Sequence, residues 1–189
     1  MRALVALVLL VTPALCFWST GHMIIAKIAQ NELMNSNSNL FDLVDREVKI
    51  LSQWSKEKDH AFVESATWAD DNKGVAWMAF NGWHFVDTPI MEEGWSGETD
   101  YDPENATWAL NQSKRTLSDT KSHSMDDGLS RSFMLRYLIH NVGDIHQPLH
   151  GAAYYSDKFP KGDRGGNSWK VTYNKEINNL HKLWDSCVD

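Results

Sequence analysis

His140-Asn141-Val142-Gly143-Asp144-Ile145-His146-Gln147-Pro148-Leu149-His150 is the stretch that decides the fold. His140 and Asp144 are four residues apart, so they share one helix face. Phe133 and Tyr137 stand on the same stripe. The polar pair therefore continues an apolar face inward, where an unpaired carboxylate would be costly. A metal ion resolves that cost, and His and Asp supply the nitrogen and oxygen that zinc accepts. Ser124 is suited to cap this helix, which is expected to reach about Ile145. Pro148 stops it and sets His150 just past its end.

Outward from this segment the helical period recurs. Residues 22–34 hold Ile24, Ile25, Ile28 and Ala29, and residues 39–54 carry Leu40, Val44, Val48 and Leu51 on one face. Residues 59–72 read as a third helix. Asp102-Pro103 is a cap followed by proline, opening a helix with Trp108 and Leu117. A last helix is expected over roughly 176–186. The stretches 88–100 and 151–170 are Gly-rich and polar and read as loops. No run of alternating strands emerges. The expected fold is all-α: a single-domain multi-helix bundle whose loops face a site.

Composition narrows the function. The chain has 189 residues and 42% hydrophobic content, enough for one domain with a sizeable core. Its formal net charge is −7, and its Lys and Arg are scattered without a run. That excludes a non-specific nucleic-acid binder working through a basic face. A polyanionic substrate would need positive charge from bound divalent metal. The 9 Trp residues read mainly as core or interface mass.

Residues 1–16 read as a signal peptide: Arg2, then the apolar run Ala3 to Val11, then small residues at Ala14 and Cys16. The run is too short to span a membrane. Cleavage after Cys16 gives a mature chain from Phe17 and a secreted protein. Cys187 then stands alone and asks for a partner outside the chain. Two sequons, at Asn105 and Asn111, fit the secretory route.

Other acid and imidazole pairs repeat the theme. His181 and Asp185 share the four-residue spacing, which alone would more often be an exposed ion pair. Trp83-His84-Phe85-Val86-Asp87 and Ala66-Thr67-Trp68-Ala69-Asp70 set polar residues beside apolar bulk, and each alone reads as core. Gly21-His22 lies five residues after the expected mature start. His146 reads as a supporting residue behind the site, whereas His60 and His123 sit in polar surroundings and read as solvated.

Taken together and in order, these motifs resemble the zinc-dependent single-strand-specific nucleases and 3′-nucleotidases of the S-one/P-one type. The resemblance runs from Phe17 onward through Gly-His, Trp-Ala-Asp, Trp-His-Phe, the His140–His150 motif, Gly-Gly-Asn and Leu-His-x3-Asp. It implies three zinc ions in a helical cleft. The first would take Asp70, His84, His140 and Asp144. The second would take His150, His181 and Asp185. The third would take the amino nitrogen and carbonyl oxygen of Phe17, with His22 and the bridging Asp144. It also implies in-line attack of hydroxide on phosphorus, with Asp70 orienting the nucleophile and 5′-phosphorylated products. Lys73 stands where some members have an Arg that steadies the transition state. Phe85 would stack a base, Asp87 would accept base-edge protons, and Asn167 would line the same area. The substrate would be single-stranded nucleic acid or a 3′-nucleotide. Family members continue beyond the position of Asp189, so this chain reads as a nuclease domain, residues 17–189, lacking its C-terminal part.

Two rivals remain at this level. The related zinc phospholipases C close the last ligand pair with Glu, where this chain has Asp185, and space the first His farther from the N-terminus. A shortened chain could instead be an inactive zinc-binding fragment.

Overall fold

The computed structural model describes residues 18–52, 55, 57–73, 78–119 and 125–187. The expected signal segment, Phe17, Ser124 and His123 lie outside the described residues.

The chain is mostly helical, as expected. Its axis is α6, Met125–Asp144, and α1 (Ser19–Ser36), α2 (Ser38–Lys49), α4 (Trp68–Lys73) and α5 (Ala106–Ser118) pack around it. A helix covered on several sides should be apolar on several faces, and α6 is. Leu135 and Ile139 join Ala26, Val48, Phe62 and Ala66 in one core cluster. Tyr137 joins Trp68, Ala69, Trp83 and Ala109 in a second, with Phe133 against it. Between them the fully buried Arg136 donates to Val48 O at 2.7 Å and to both carboxylate oxygens of Glu57, with its guanidinium over the Trp68 ring.

Local chemistry moves several boundaries. The third helical segment is broken: α3, Ala61–Glu64, passes through a 3-10 turn, Ser65–Thr67, into α4. That tightening points the carbonyl of Ala66 at the ring of His140. The helix expected to open at Asp102-Pro103 begins instead at Ala106. Asn105 caps it, its side chain accepting from the backbone N–H of Thr107 and Trp108. The same Asn105 amide donates to Tyr101 Oη and is 3% exposed, so this sequon side chain is committed to the fold. Asn111 is exposed. The last helix is shorter than expected, α8 at Leu180–Asp185, capped by Asn179. On α1 the buried face is Gly21, His22 and Ala26, whereas Ile24 and Ile28 are 45% and 58% exposed.

The two expected loop stretches contribute a small sheet. β1, Thr88–Met91, pairs in parallel with β2, Ala152–Tyr155, in the register Thr88↔Ala152. β2 follows directly on α7, Pro148–Gly151, where Pro148 occupies the first helical turn. This pairing ties the His84–Asp87 segment to His150: Val86 N donates to His150 O at 2.7 Å.

Candidate metal centre

The eight candidate ligand side chains come from six elements. His22 comes from α1, Asp70 from α4, His84 from the end of the 3-10 segment Met78–His84, and His140 and Asp144 from α6. His150 comes from α7, and His181 and Asp185 from α8. All except Asp70 are among the most buried polar side chains, at 0–1% exposure. Potential ligand atoms lie within 4.8 Å of one another in three groups: His22, His140 and Asp144; Asp70, His84 and His140; His150, His181 and Asp185.

Asp144 is the hub. Its carboxylate lies 3.1 Å from His84 Nδ1, 3.1 Å from His140 Nε2, 3.4 Å from His22 Nε2 and 3.5 Å from His150 Nδ1. The rings of His22 and His140 stack at 4.0 Å. Gly143 permits this: a Cβ there would lie 2.5 Å from His22 Nδ1.

Three imidazoles are pinned from behind by backbone carbonyls. His140 Nδ1 faces Ala66 O at 2.6 Å, His150 Nδ1 faces His84 O at 2.7 Å, and His181 Nδ1 faces Gly165 O at 2.6 Å. An Nδ1–H donated to a carbonyl leaves Nε2 with its lone pair directed forward, as a metal ligand requires. Gly165 reaches this position at φ +57°, with an added Cβ landing 2.1 Å from Leu149 O, so glycine is required.

The electrostatics suit cations. Burial lowers His84 and His181 to about 4 and also lowers His150, keeping these rings neutral. Burial also opposes the charged form of His140, but Asp144 and Asp70 outweigh it and raise that ring to about 9. Burial raises Asp185 to about 8, against the opposing hydrogen bond from Gln147. A carboxylate buried without a counter-charge resists ionisation, and a divalent cation removes that resistance. The fit shows in the hydrogen bonds too. His150 Nε2, His181 Nε2, Asp185 Oδ2, Asp144 Oδ1 and Asp70 Oδ1 are buried and carry none. Orphaned polar atoms of this kind call for a ligand, and an imidazole–carboxylate donor set fits zinc.

Beside these groups lie a buried cation and an aromatic ring. Lys73 is 7% exposed, with Nζ 4.0 Å from Asp70 Oδ1 and 4.7 Å from the centre of the Phe85 ring. Phe85 is half-buried, its ring 4.8 Å from that of His150. Asp87 sits at φ +50°. Burial, followed by the charge of Asp163, raises its carboxyl to about 6. Asn167 turns its amide onto Arg164 O at 2.9 Å, within its own loop.

One expectation is corrected. His146 is exposed and bonds Val142 O on its own helix, so it does not support the site. The next residue does: Gln147 is fully buried and donates to Asp185 Oδ1 at 2.7 Å, while its Oε1 accepts from Leu149 N. The chain turns after Asp144, so the side chain facing inward is Gln147. His60 is exposed, as expected. The backbone carbonyls of Ala66 and Gly165 were not legible as partners, since no side chain marks them.

The chain spans about six-tenths or less of the relatives it matches. Endonuclease 3 of Arabidopsis thaliana is 30% identical over 190 residues, covering 98% of this chain and 59% of the relative. Nuclease S1 of Aspergillus oryzae is 28% identical, covering 88% of this chain and 52% of that protein. Nuclease P1 of Penicillium citrinum is 30% identical over 64% of this chain and 42% of its own length. The family model for S1/P1 nuclease matches residues 17–189, and with it this helical chain belongs to the S1/P1 nuclease family.

Proposed function

We propose that the chain is a zinc-dependent phosphodiesterase that cuts single-stranded nucleic acid to 5′-nucleotides and removes phosphate from 3′-nucleotides. In this reading residues 1–16 are an export signal, residues 17–189 form the nuclease domain, and the mature protein is secreted. The observation that carries the reading is the convergence of His22, Asp70, His84, His140, Asp144, His150, His181 and Asp185 from five helices and a 3-10 segment onto one buried cluster.

Asp70, His84, His140 and Asp144 would hold one ion, and His150, His181 and Asp185 a second. His22 and Asp144, with the backbone of Phe17, would hold a third. Trp18 N donates to Asp185 O, which ties Trp18 to a residue of the cluster. Bound zinc would lower the pKa of water and neutralise phosphate charge. Asp70 would accept the proton of the attacking water; its Oδ1 lies 3.6 Å from His84 Nδ1 and 3.7 Å from His140 Nε2. Lys73 supplies a buried point charge for a phosphate oxygen. Phe85 offers a stacking face that a duplex base cannot reach. Asp87 offers a buried carboxyl oxygen without a hydrogen bond for a base edge.

The test is hydrolysis of a thymidine 3′-monophosphate and of matched single- and double-stranded oligonucleotides by protein beginning at Phe17. Zinc-dependent turnover of the first two, with slow cutting of the duplex, is expected. Turnover of a phosphatidylcholine in preference to all three would replace this reading with the phospholipase one.

A further inference from the structure

We propose that the loop Ser156–Lys170 forms a second nucleotide-binding surface, which takes the next base and phosphate of a single strand engaged at the cluster. The inference rests on the nuclease reading above. The loop carries Lys158, Lys161, Arg164 and Lys170 against Asp157 and Asp163, a net charge of +2, whereas the rest of the chain carries −9. All four cations are exposed. They are spread along the loop, and one of them, Lys158, lies against the ring of Trp169.

Trp169 is 36% exposed and held in place. Its Nε1–H donates to Asp163 Oδ2 at 2.8 Å, and the other oxygen of that buried carboxylate accepts from Tyr154 N at 2.8 Å. Phe159 supports the ring at 4.9 Å. The ring is therefore oriented before any ligand arrives, which lowers the ordering cost of binding. Lys158 Nζ lies over it at 4.5 Å. A base can take the ring face that this flexible side chain covers, because base–aromatic stacking exceeds an exposed cation–π contact. The displaced ammonium then meets the adjoining phosphate.

The surface is continuous with the cluster. Trp169 N donates to Gly166 O, and Leu180 N donates to Trp169 O. The neighbouring Gly165 carbonyl fixes His181. Trp169 is therefore tied through the backbone to the turn that fixes His181 and to the start of α8, and its loop supplies a basic footing beside an otherwise acidic chain.

The experiment compares wild type, Trp169→Ala, Trp169→Phe and Lys158→Ala, all zinc-loaded. It reads turnover of thymidine 3′-monophosphate and of a thymidine nonamer. It also reads binding of a cleavage-resistant phosphorothioate nonamer by fluorescence anisotropy. The alanine variants should weaken nonamer binding and raise its KM roughly 5- to 50-fold, with mononucleotide kcat/KM within about twofold of wild type. Trp169→Phe should restore most of the loss, and Lys158→Ala should flatten the salt dependence of binding by about one phosphate contact. Equal losses on both substrates, or no change on the nonamer, would overturn the proposal. A wild type that binds the nonamer through Trp169 but cuts nothing would keep the surface and reject the nuclease reading. A wild type that neither binds nor cuts would reject both.

Discussion

Asp144→Asn perturbs the hub with almost no change in shape. The carboxylate is fully buried and faces nitrogens of His22, His84, His140 and His150 at 3.1–3.5 Å. In zinc-free protein its main coupling is to His140, whose ring, despite burial, Asp144 and Asp70 hold at about 9. At pH 7 that is roughly two pH units of preference for the charged pair, or up to about 3 kcal/mol. The lower end of the range for breaking a buried pair is also about 3 kcal/mol. For a chain of this size it corresponds to a fall in Tm of roughly 6–12 °C. With zinc supplied, the His150–His181–Asp185 group keeps its ligands. The variant should therefore retain one zinc of three and lose cleavage. Calorimetric melting with chelator and zinc counting by elemental analysis measure both effects. A variant with three zincs, unchanged Tm and near-normal turnover would refute the bridging role.

Three further predictions follow from single contacts. Gly143→Ala should push a methyl group into His22, whose Nδ1 would lie 2.5 Å away; zinc counting should show one ion lost and two kept. Glu57 is opposed by burial, but its bonds to Arg136 prevail and hold its carboxyl below the usual 4.5. Its contribution is therefore present above pH 4.5 and lost as pH falls through the lowered value, so Glu57→Gln should flatten the acid limb of a pH–stability curve, and Glu57→Ala, which strands buried Arg136, should cost about 3–5 kcal/mol in urea unfolding. Lys73→Ala should lower kcat on thymidine 3′-monophosphate by roughly 100-fold, and Lys73→Arg should keep or raise it, since a guanidinium meets phosphate with two donors.

The helical class and the inward-facing ligands were legible because both rest on one periodicity. His140 and Asp144 lie four apart on a stripe continued by Tyr137 and Phe133, and α6 buries that stripe. The ligands on other elements were legible only as an ordered set, since each motif alone also reads as core. Periodicity misled where a helix has two kinds of neighbour. On α1 it marked Ile24 and Ile28, but the inward face is built from Gly21, His22 and Ala26, residues small or polar enough to approach the cluster. The α5 boundary was misread because Asp102-Pro103 is a sound cap signal, and Asn105 is a stronger one three residues later. The small parallel sheet and the basic loop were not legible. Parallel pairing joins segments about sixty residues apart, and Lys158 and Asp163 reach Trp169 across turns that include Gly162, Gly165 and Gly166, all with positive φ.

The central claim is that imidazoles and carboxylates from separate helices meet to hold cations that this acidic chain needs in order to approach phosphate. Zinc content of purified protein beginning at Phe17, measured together with its Tm before and after chelation, tests this most directly. Three zinc ions per chain, and a large fall in Tm when they are removed, are predicted. Protein that binds no zinc after equilibrium dialysis, or melts at the same temperature with and without chelator, would contradict it.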